Sequence, residues 1–407
     1  MKVTVQKGTA KGCITAPPSK SMAHRQLICA ALAEGVSRIH GVGASEDICA
    51  TVDCLSALGA RLAWEDDTLV VQGIDATAAT PTQALLCRES GSTMRFLIPI
   101  AALSGKRVTL SGAPQLMRRP MQLYEELFSA RGLAFSQTAQ AITLQGPLRS
   151  GDYDLPGDIS SQFISGLLFA LPLLAEDSRI HLTSKPESRS YIDLTLSALR
   201  TFGVSAVWED EFTLFVRGSQ RYQSRDARVE GDCSGAAFPE ALNYLGGRVE
   251  VQGIDEDTLQ GDRVFRAHFE ALNAGSPTIS LADCPDLGPI LFALAAAKNG
   301  ATFTHTRRLR IKESDRVATM QAELARLGAT VTAGEDEVMV HPSRLHAPDG
   351  TLEGHGDHRV VMSLAVLLTK FGGSINGAEA VRKSYPDFFQ DLQALGIEVT
   401  EDEESTD

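Results

Sequence analysis

The chain of 407 residues has seven cysteines but no C-x-x-C pair and no histidine at zinc spacing. An odd number of scattered thiols (Cys13, Cys29, Cys49, Cys54, Cys87, Cys233 and Cys284) argues against a disulfide framework and for reduced side chains. Long apolar runs are also missing. The most apolar stretch, Phe163 to Ala175, is broken by Gly166 and Pro172 and is shorter than the roughly 20 residues that span a bilayer, so it predicts a buried helix. The opening MKVTVQKGTAKG alternates like a strand and lacks the apolar centre of a signal peptide; export is not expected, and the expected compartment is the cytoplasm. Nor is there an excess of positive charge. A net charge of -13 argues against a general nucleic-acid surface, while local basic clusters remain able to collect small anions. No low-complexity linker divides the chain, and only the acidic end EDEESTD is expected to be disordered. Apolar residues, at 43%, are plentiful enough for more than one core, because single cores stop growing at about 250 to 300 residues. Two domains are expected.

A repeat organises the chain. Six segments open with small, polar or charged residues and run into an apolar helix, beginning at Ser19, Ser90, Asp158, Asp232, Pro285 and Gly356. A short strand-like run follows each, starting at Arg38, Arg107, Arg179, Arg248, Ala301 and Gly373, at intervals of 69, 72, 69, 53 and 72 residues. One unit is therefore short. Most units continue into an amphipathic helix with a glycine stop and a strand pair, as in DICATVDCLSALGARLAWEDDTLVVQG from Asp47, where Gly59 stops the helix and Asp66 and Asp67 make the turn. The expected unit is helix, strand, helix, strand, strand. Six such units suggest two sets of three, each burying its apolar helices, with a midpoint near Gly231.

Helix openings rich in Ser, Gly and Asp leave backbone N–H groups and partial positive charge at one end, a ready site for phosphate or carboxylate. Capping alone explains any one of them. Cations at or near the same openings shift the balance: Lys20 and Arg25, Arg95, Arg118 and Arg119, Lys312 and Arg316, His358 and Arg359, and Lys383. Charges near apolar helices need partners, and a multiply anionic ligand would supply them.

Eight motifs in this order resemble the enolpyruvyl transferase family: PPSKSMAHR from Pro17, SGSTMR from Ser90, MRRP from Met117, SSQF from Ser160 with SRSYID from Ser188, then PDLG from Pro285, LRIKESDR from Leu309, DHR from Asp357 and RKSYPDFF from Arg382. The resemblance covers nearly the whole chain. It implies a two-lobed inside-out α/β barrel, each lobe three repeats around buried helices, with one lobe at 19–230, the other at 1–18 plus 231–407, and the site in the cleft between them. It also implies transfer of a carboxyvinyl group from phosphoenolpyruvate to shikimate-3-phosphate without metal or organic cofactor, by a monomer that binds neither nucleic acid nor membrane. Glu89 stands near where many members carry Asn, Phe96 follows Arg95 where others often have Pro, and Arg308 stands where some have Asn. The relative that acts on UDP-N-acetylglucosamine typically has a reactive cysteine before its R-P motif; the loop SGAPQLMRRP here has none.

By the same resemblance, Lys20, Asp286 and Glu313 are the catalytic candidates. Gly91, Arg119, Gln162, Arg316, Arg359 and Lys383, with Lys20, are assigned to phosphoenolpyruvate. Ser21, Arg25, Ser160, Ser161, Ser188, Tyr191 and Lys312, with Lys20, Gln162 and Asp286, are assigned to shikimate-3-phosphate. Ser92, Arg95 and His358 are supports. Two opposed proton transfers call for two acids, Asp286 at the attacked hydroxyl and Glu313 with Lys20 at the phosphoenolpyruvate methylene. Plainer roles stand beside these: an N-cap for Asp286 and for the serine pair, and an i,i+3 helix ion pair with Arg316, or a pair with Lys312, for Glu313.

Overall fold

The computed structural model describes residues 1–81 and 83–402. Two compact units emerge, Pro18–Glu230 and the remainder, which joins Met1–Pro17 to the chain from Gly231 onward. Each unit has its own apolar core.

In the Pro18–Glu230 unit the three apolar helices are Lys20–Ala31, Gly91–Ala101 and Ser161–Ala170, buried along almost their whole length. Ser19, Ser90 and Ser160 cap them by accepting from the N–H groups of Met22, Thr93 and Gln162. In the other unit Cys233–Tyr244 and His358–Phe371 are capped by Asp232 and Asp357, whereas Gly288–Ala297 has Leu287 at its N-cap position and no side-chain cap. A helix apolar on every face belongs at the centre of a layer, and Gly288 to Ala296 are all buried.

Among the described residues five of the six repeats have one more strand than the sequence pattern predicts, and each of the six has a short lead strand parallel to the strand that follows its apolar helix. Leu85–Leu86, Gly151–Leu155, Thr278–Ser280 and Leu352–Glu353 each pair in parallel with the strand after their helix, forming a βαβ crossover. Several are only two or three residues long, too short for periodicity to reveal. Segments far away in sequence supply the remaining two lead strands. Asp226–Arg228 pairs with Val36–His40 to complete the first repeat, and Lys11–Thr15 pairs with Arg248–Gln252 in the fourth. Lys2–Val5 lies between Gly373–Asn376 and Val399–Asp402 in the sixth. The alternating opening segment is thus two strands. Where the spacing shortens to 53, helix Phe265–Ala274 leads straight to Thr278–Ser280, the lead strand of the next repeat, and that fourth sheet has two strands. Glu401 and Asp402, expected to be disordered, close the strand Val399–Asp402; the rest of the acidic tail lies outside the described residues.

Gly166 interrupts the apolar run for a packing reason. A Cβ there would lie 2.5 Å from the Arg95 carbonyl oxygen and 2.3 Å from the Tyr124 hydroxyl, which donates to that same carbonyl at 2.7 Å. Helices Gly91–Ala101 and Ser161–Ala170 cross at this point, so backbone approaches backbone. Alanine would gain up to about 1 kcal/mol of helix propensity, but overpacking against a fixed carbonyl costs about 1–3 kcal/mol and also threatens the tyrosine bond. We expect Gly166→Ala to lower unfolding free energy by about 2 kcal/mol in urea denaturation; unchanged or raised stability would show that the crossing is not tight.

Candidate active site

The cationic candidates of the Pro18–Glu230 unit gather around the N-termini of its apolar helices. Lys20, the first residue of its helix, donates to Asp47 Oδ2 at 2.7 Å. Arg25, one turn further on, is 2% exposed; Nε donates to Thr195 Oγ1 at 2.9 Å, Nη1 to the Ser21 carbonyl at 2.6 Å and Nη2 to the Tyr191 carbonyl at 2.9 Å. Its guanidinium also lies over the Phe96 ring at 5.2 Å and the Tyr191 ring at 6.0 Å. Burial pulls its pKa down to about 10, against smaller opposing effects of Tyr191 and Cys29, so it stays charged at neutral pH. Arg95 Nη1 donates to Gln162 Oε1 at 2.7 Å, and Gln162 Nε2 to Ser92 Oγ at 2.9 Å, tying the second apolar helix to the third. At Gly91 a Cβ would stand 2.7 Å from Arg119 Nη1 and 3.4 Å from Arg95 Nη1, so glycine admits both guanidinium groups to the start of this helix.

Ser160 caps its helix as the plain reading allows, and Ser161 is the first helical residue. Ser188 has φ 56 and ψ 42, a left-handed conformation for a non-glycine residue at the head of Arg189–Thr201. Thr195, one turn past Tyr191, also bonds Ser165 Oγ at 2.7 Å and thereby anchors Arg25; nothing in the sequence pattern separates it from other helical threonines.

In the other unit the candidate acids and cations form one network. Arg316, 1% exposed, donates through Nη1 to Asp286 Oδ1 at 2.9 Å, through Nη2 to Glu313 Oε2 at 2.7 Å and through Nε to Asp357 Oδ2 at 2.9 Å. Arg359 Nη2 reaches Asp286 Oδ2 at 3.1 Å and Ser234 Oγ at 2.9 Å, and Lys312 Nζ reaches Asp286 Oδ1 at 3.2 Å. Lys383 Nζ donates to the Gly356 carbonyl at 2.7 Å, immediately before Asp357 and His358. The expectation that Glu313 and Arg316 are helix neighbours is corrected: the helix begins at Arg316, capped by Asp315, and Glu313 precedes it. Their ion pair nevertheless forms. The capping role for Asp286 does not hold, since the following helix has Leu287 at its N-cap and no side-chain cap.

Burial on its own would raise the Asp286 pKa, but Arg359, Lys312 and Arg316 outweigh it and hold the carboxyl well below the usual range. Arg316 moves the other way: burial would lower it, yet Asp357, Glu313 and Asp286 raise it. Lys312 is pulled down by burial, with Arg316 and Arg308 adding to that and Asp286 and Glu313 opposing. Asp47 and Asp357 were absent from the candidates. Asp357 is legible after the fact as the residue before His358, placed to cap a helix; Asp47 carries no such mark.

Such clusters of buried cations, aimed from helix starts and partly neutralised by carboxylates, suit a transferase of anionic substrates. The fold is that of the enolpyruvyl transferases. EPSP synthase from Acinetobacter baumannii superposes with a TM-score of 0.78 at 23% identity, over 98% of this chain and all of that one. The enolpyruvyl transferase NikO from Streptomyces tendae does so with a TM-score of 0.78 at 15% identity, over 98% of each. The chain belongs to the EPSP synthase (3-phosphoshikimate 1-carboxyvinyltransferase) family, whose sequence profile matches residues 5–392. Relatives named 3-phosphoshikimate 1-carboxyvinyltransferase include one from Clostridium kluyveri, 38% identical over 98% of both chains, and one from Clostridium perfringens, 37% identical over 97% of this chain and 98% of that one. The protein is accordingly an enzyme of enolpyruvyl transfer in the shikimate route to aromatic amino acids. Among the described residues no helix is long and apolar enough to cross a membrane.

His24, on the same helix as Lys20 and Arg25, is 1% exposed. Burial, then Lys20 and Arg25, hold its pKa well below 6.5. The unfolded chain therefore takes up a proton near pH 6.5 that the folded chain refuses. The stability tied to the neutral ring is complete above that pH and is lost as pH falls towards the folded value. From pH 6.5 to 5.5 the wild type should lose up to about 1 kcal/mol more than His24→Asn, measured by urea denaturation at both pH values; equal losses would show that the folded ring titrates normally.

Proposed function

We propose that this enzyme transfers the enolpyruvyl group of phosphoenolpyruvate to the 5-hydroxyl of shikimate-3-phosphate and releases phosphate. The observation that carries this reading is the Asp286 carboxylate, shared among Arg316, Arg359 and Lys312 beside Glu313. Family membership supports it. In the proposed chemistry the hydroxyl oxygen adds to C2 of phosphoenolpyruvate and gives up its proton to Asp286, while Glu313 with Lys20 delivers a proton to C3. Reversal at C3 then lets the C2–O bond to phosphate break, restoring the double bond in the product.

Three cations, Arg359, Lys312 and Arg316, make Asp286 on its own a poor base. Phosphoenolpyruvate carries a carboxylate and a phosphate, both matched by the planar guanidinium fork. Once it engages Arg316 and Arg359, Asp286 is relieved of two of its three cations and its basicity rises. Lys383, Arg119, Gly91 and Gln162 complete the phosphoenolpyruvate side of the proposal; Ser21, Arg25, Ser160, Ser161, Ser188, Tyr191 and Lys312 hold shikimate-3-phosphate. His358, Ser92 and Arg95 support these groups. The enzyme so read acts as a cytoplasmic monomer; light scattering of the purified protein tests the monomer.

Asp286→Asn and Glu313→Gln preserve shape while removing proton transfer, so phosphate release should fall by roughly 10² to 10⁴ fold. Calorimetric binding of shikimate-3-phosphate should survive in both variants. Near-normal turnover in either one removes that residue from the mechanism.

A further inference from the structure

A chain of hydrogen bonds runs beneath the starts of the helices that carry Lys20 and Gly91. His24 Nδ1 lies 2.7 Å from Thr51 Oγ1, Thr51 Oγ1 lies 2.7 Å from Thr93 Oγ1, and the Thr93 hydroxyl donates to Ser90 Oγ at 2.7 Å. His24 is 1% exposed and the other three are fully buried. The chain joins helix Lys20–Ala31 to helix Glu46–Ala57 and then to the N-cap of helix Gly91–Ala101.

Proton direction follows link by link. A threonine hydroxyl has one proton to give. The Thr93 proton is committed to Ser90 Oγ, which also accepts the Thr93 backbone N–H at 3.2 Å. Thr93 must then accept from Thr51 in their 2.7 Å contact, and Thr51, its proton spent, must accept from His24. The alternatives, from Thr51 and Thr93 to the Asp47 carbonyl, are long at 3.4 Å each. His24 Nδ1 therefore carries the proton. The other end of the ring agrees: Nε2 is buried with no hydrogen-bond partner among the described residues, so a proton placed there would be an orphaned donor, whereas a bare lone pair costs less. Phe96 stands edge-on to the ring, at 6.4 Å between centroids.

We infer that His24 acts as a neutral, Nδ1-protonated positioning residue that holds the glycine-rich start of helix Gly91–Ala101 in register with Lys20. Lys20 pairs with Asp47, whose helix supplies the middle link, Thr51. The glycine-rich start supplies the last link, Ser90, directly before Gly91. Losing one link leaves the other contacts in place but frees Gly91 and its neighbouring guanidinium groups from the lysine. A neutral ring also adds no charge beside Lys20 and Arg25. The consequence for catalysis rests on the assignment of Gly91 and Lys20 to phosphoenolpyruvate above; the protonation state of the ring does not.

Two measurements test it. In ¹⁵N-labelled wild-type protein, the His24 ring, assigned by its loss in His24→Asn, should show a protonated Nδ1 and a bare Nε2 from pH 8 to 6. A protonated Nε2 or an imidazolium in that range overturns the inference. Thr51→Val removes the middle hydroxyl at nearly constant volume. It should raise KM for phosphoenolpyruvate roughly tenfold, the equivalent of one aligning hydrogen bond, with kcat within about twofold, while Thr51→Ser restores KM. An unchanged KM in Thr51→Val with normal thermal stability overturns the positioning role; should that variant not fold, a KM in Thr51→Ser far from wild type does the same. Absence of phosphate release by the wild type would instead sink the proposed function and leave the ring measurement to decide the hydrogen-bond chain.

Discussion

Arg316 holds a full positive charge at 1% exposure, and the arrangement around it follows from the need to satisfy that charge. An unpaired guanidinium in such a place would cost several kcal/mol. Here Asp286, Glu313 and Asp357 each take part of its fork. Every one of these carboxylates has a second duty. Asp357 caps helix His358–Phe371, Asp286 binds Arg359 and Lys312, and Glu313 lies in the turn that leads into the Arg316 helix. One buried cation thus fixes the start of one helix, the cap of another and the position of the proposed base.

The two units solve the same problem with different chemistry. In the unit from Gly231 onward, buried cations are answered mainly by carboxylates, in a shared network. In the Pro18–Glu230 unit Arg25 is answered by two carbonyls, a hydroxyl and two aromatic rings, and Arg95 by an amide and the face of Phe163 at 5.2 Å. Lys20, by contrast, pairs with a carboxylate, Asp47. Neutral partners leave the positive potential of a guanidinium largely uncancelled, whereas carboxylates cancel it until a ligand competes. The first arrangement suits capture of an anion. The second suits a base whose strength depends on what else is bound.

Much of this was legible in the sequence because it repeats. Six apolar helices with polar openings, a spacing near 70 residues and glycine stops are strong signals, and the motif residues Lys20, Arg25, Gly91, Gln162, Asp286, Glu313, Arg316 and Arg359 all fall at or near helix starts or in the loops just before them. The lead strands escaped notice because a strand such as Leu85–Leu86 has no period to detect. Asp47, Thr195 and Ser234 escaped because their roles lie in contacts across 27, 170 and 125 positions of sequence, which spacing along one helix cannot reveal. Glu313 and Arg316 were expected on one helix because i,i+3 spacing fits; Asp315, a strong N-cap between them, was the competing signal.

The glycines at helix crossings and starts show why repetition and site formation are one property of this fold. Packing apolar helices at the centre of a unit brings their capped N-termini into the same region, but capping side chains alone would fill the space an anion needs. At Gly91 the missing Cβ is what admits Arg119 Nη1 and Arg95 Nη1 to the helix start. At Gly166 the missing Cβ lets the third helix approach the Arg95 carbonyl, so that Gln162, one turn earlier, meets Arg95 Nη1 at 2.7 Å. At Gly235, in the other unit, a Cβ would meet Pro17 Cγ at 2.6 Å, beside the Asp232 cap whose neighbour Ser234 accepts from Arg359. Close packing and the proposed anion site therefore draw on the same positions, and a side chain added at any of them would disturb the core and that proposed site together.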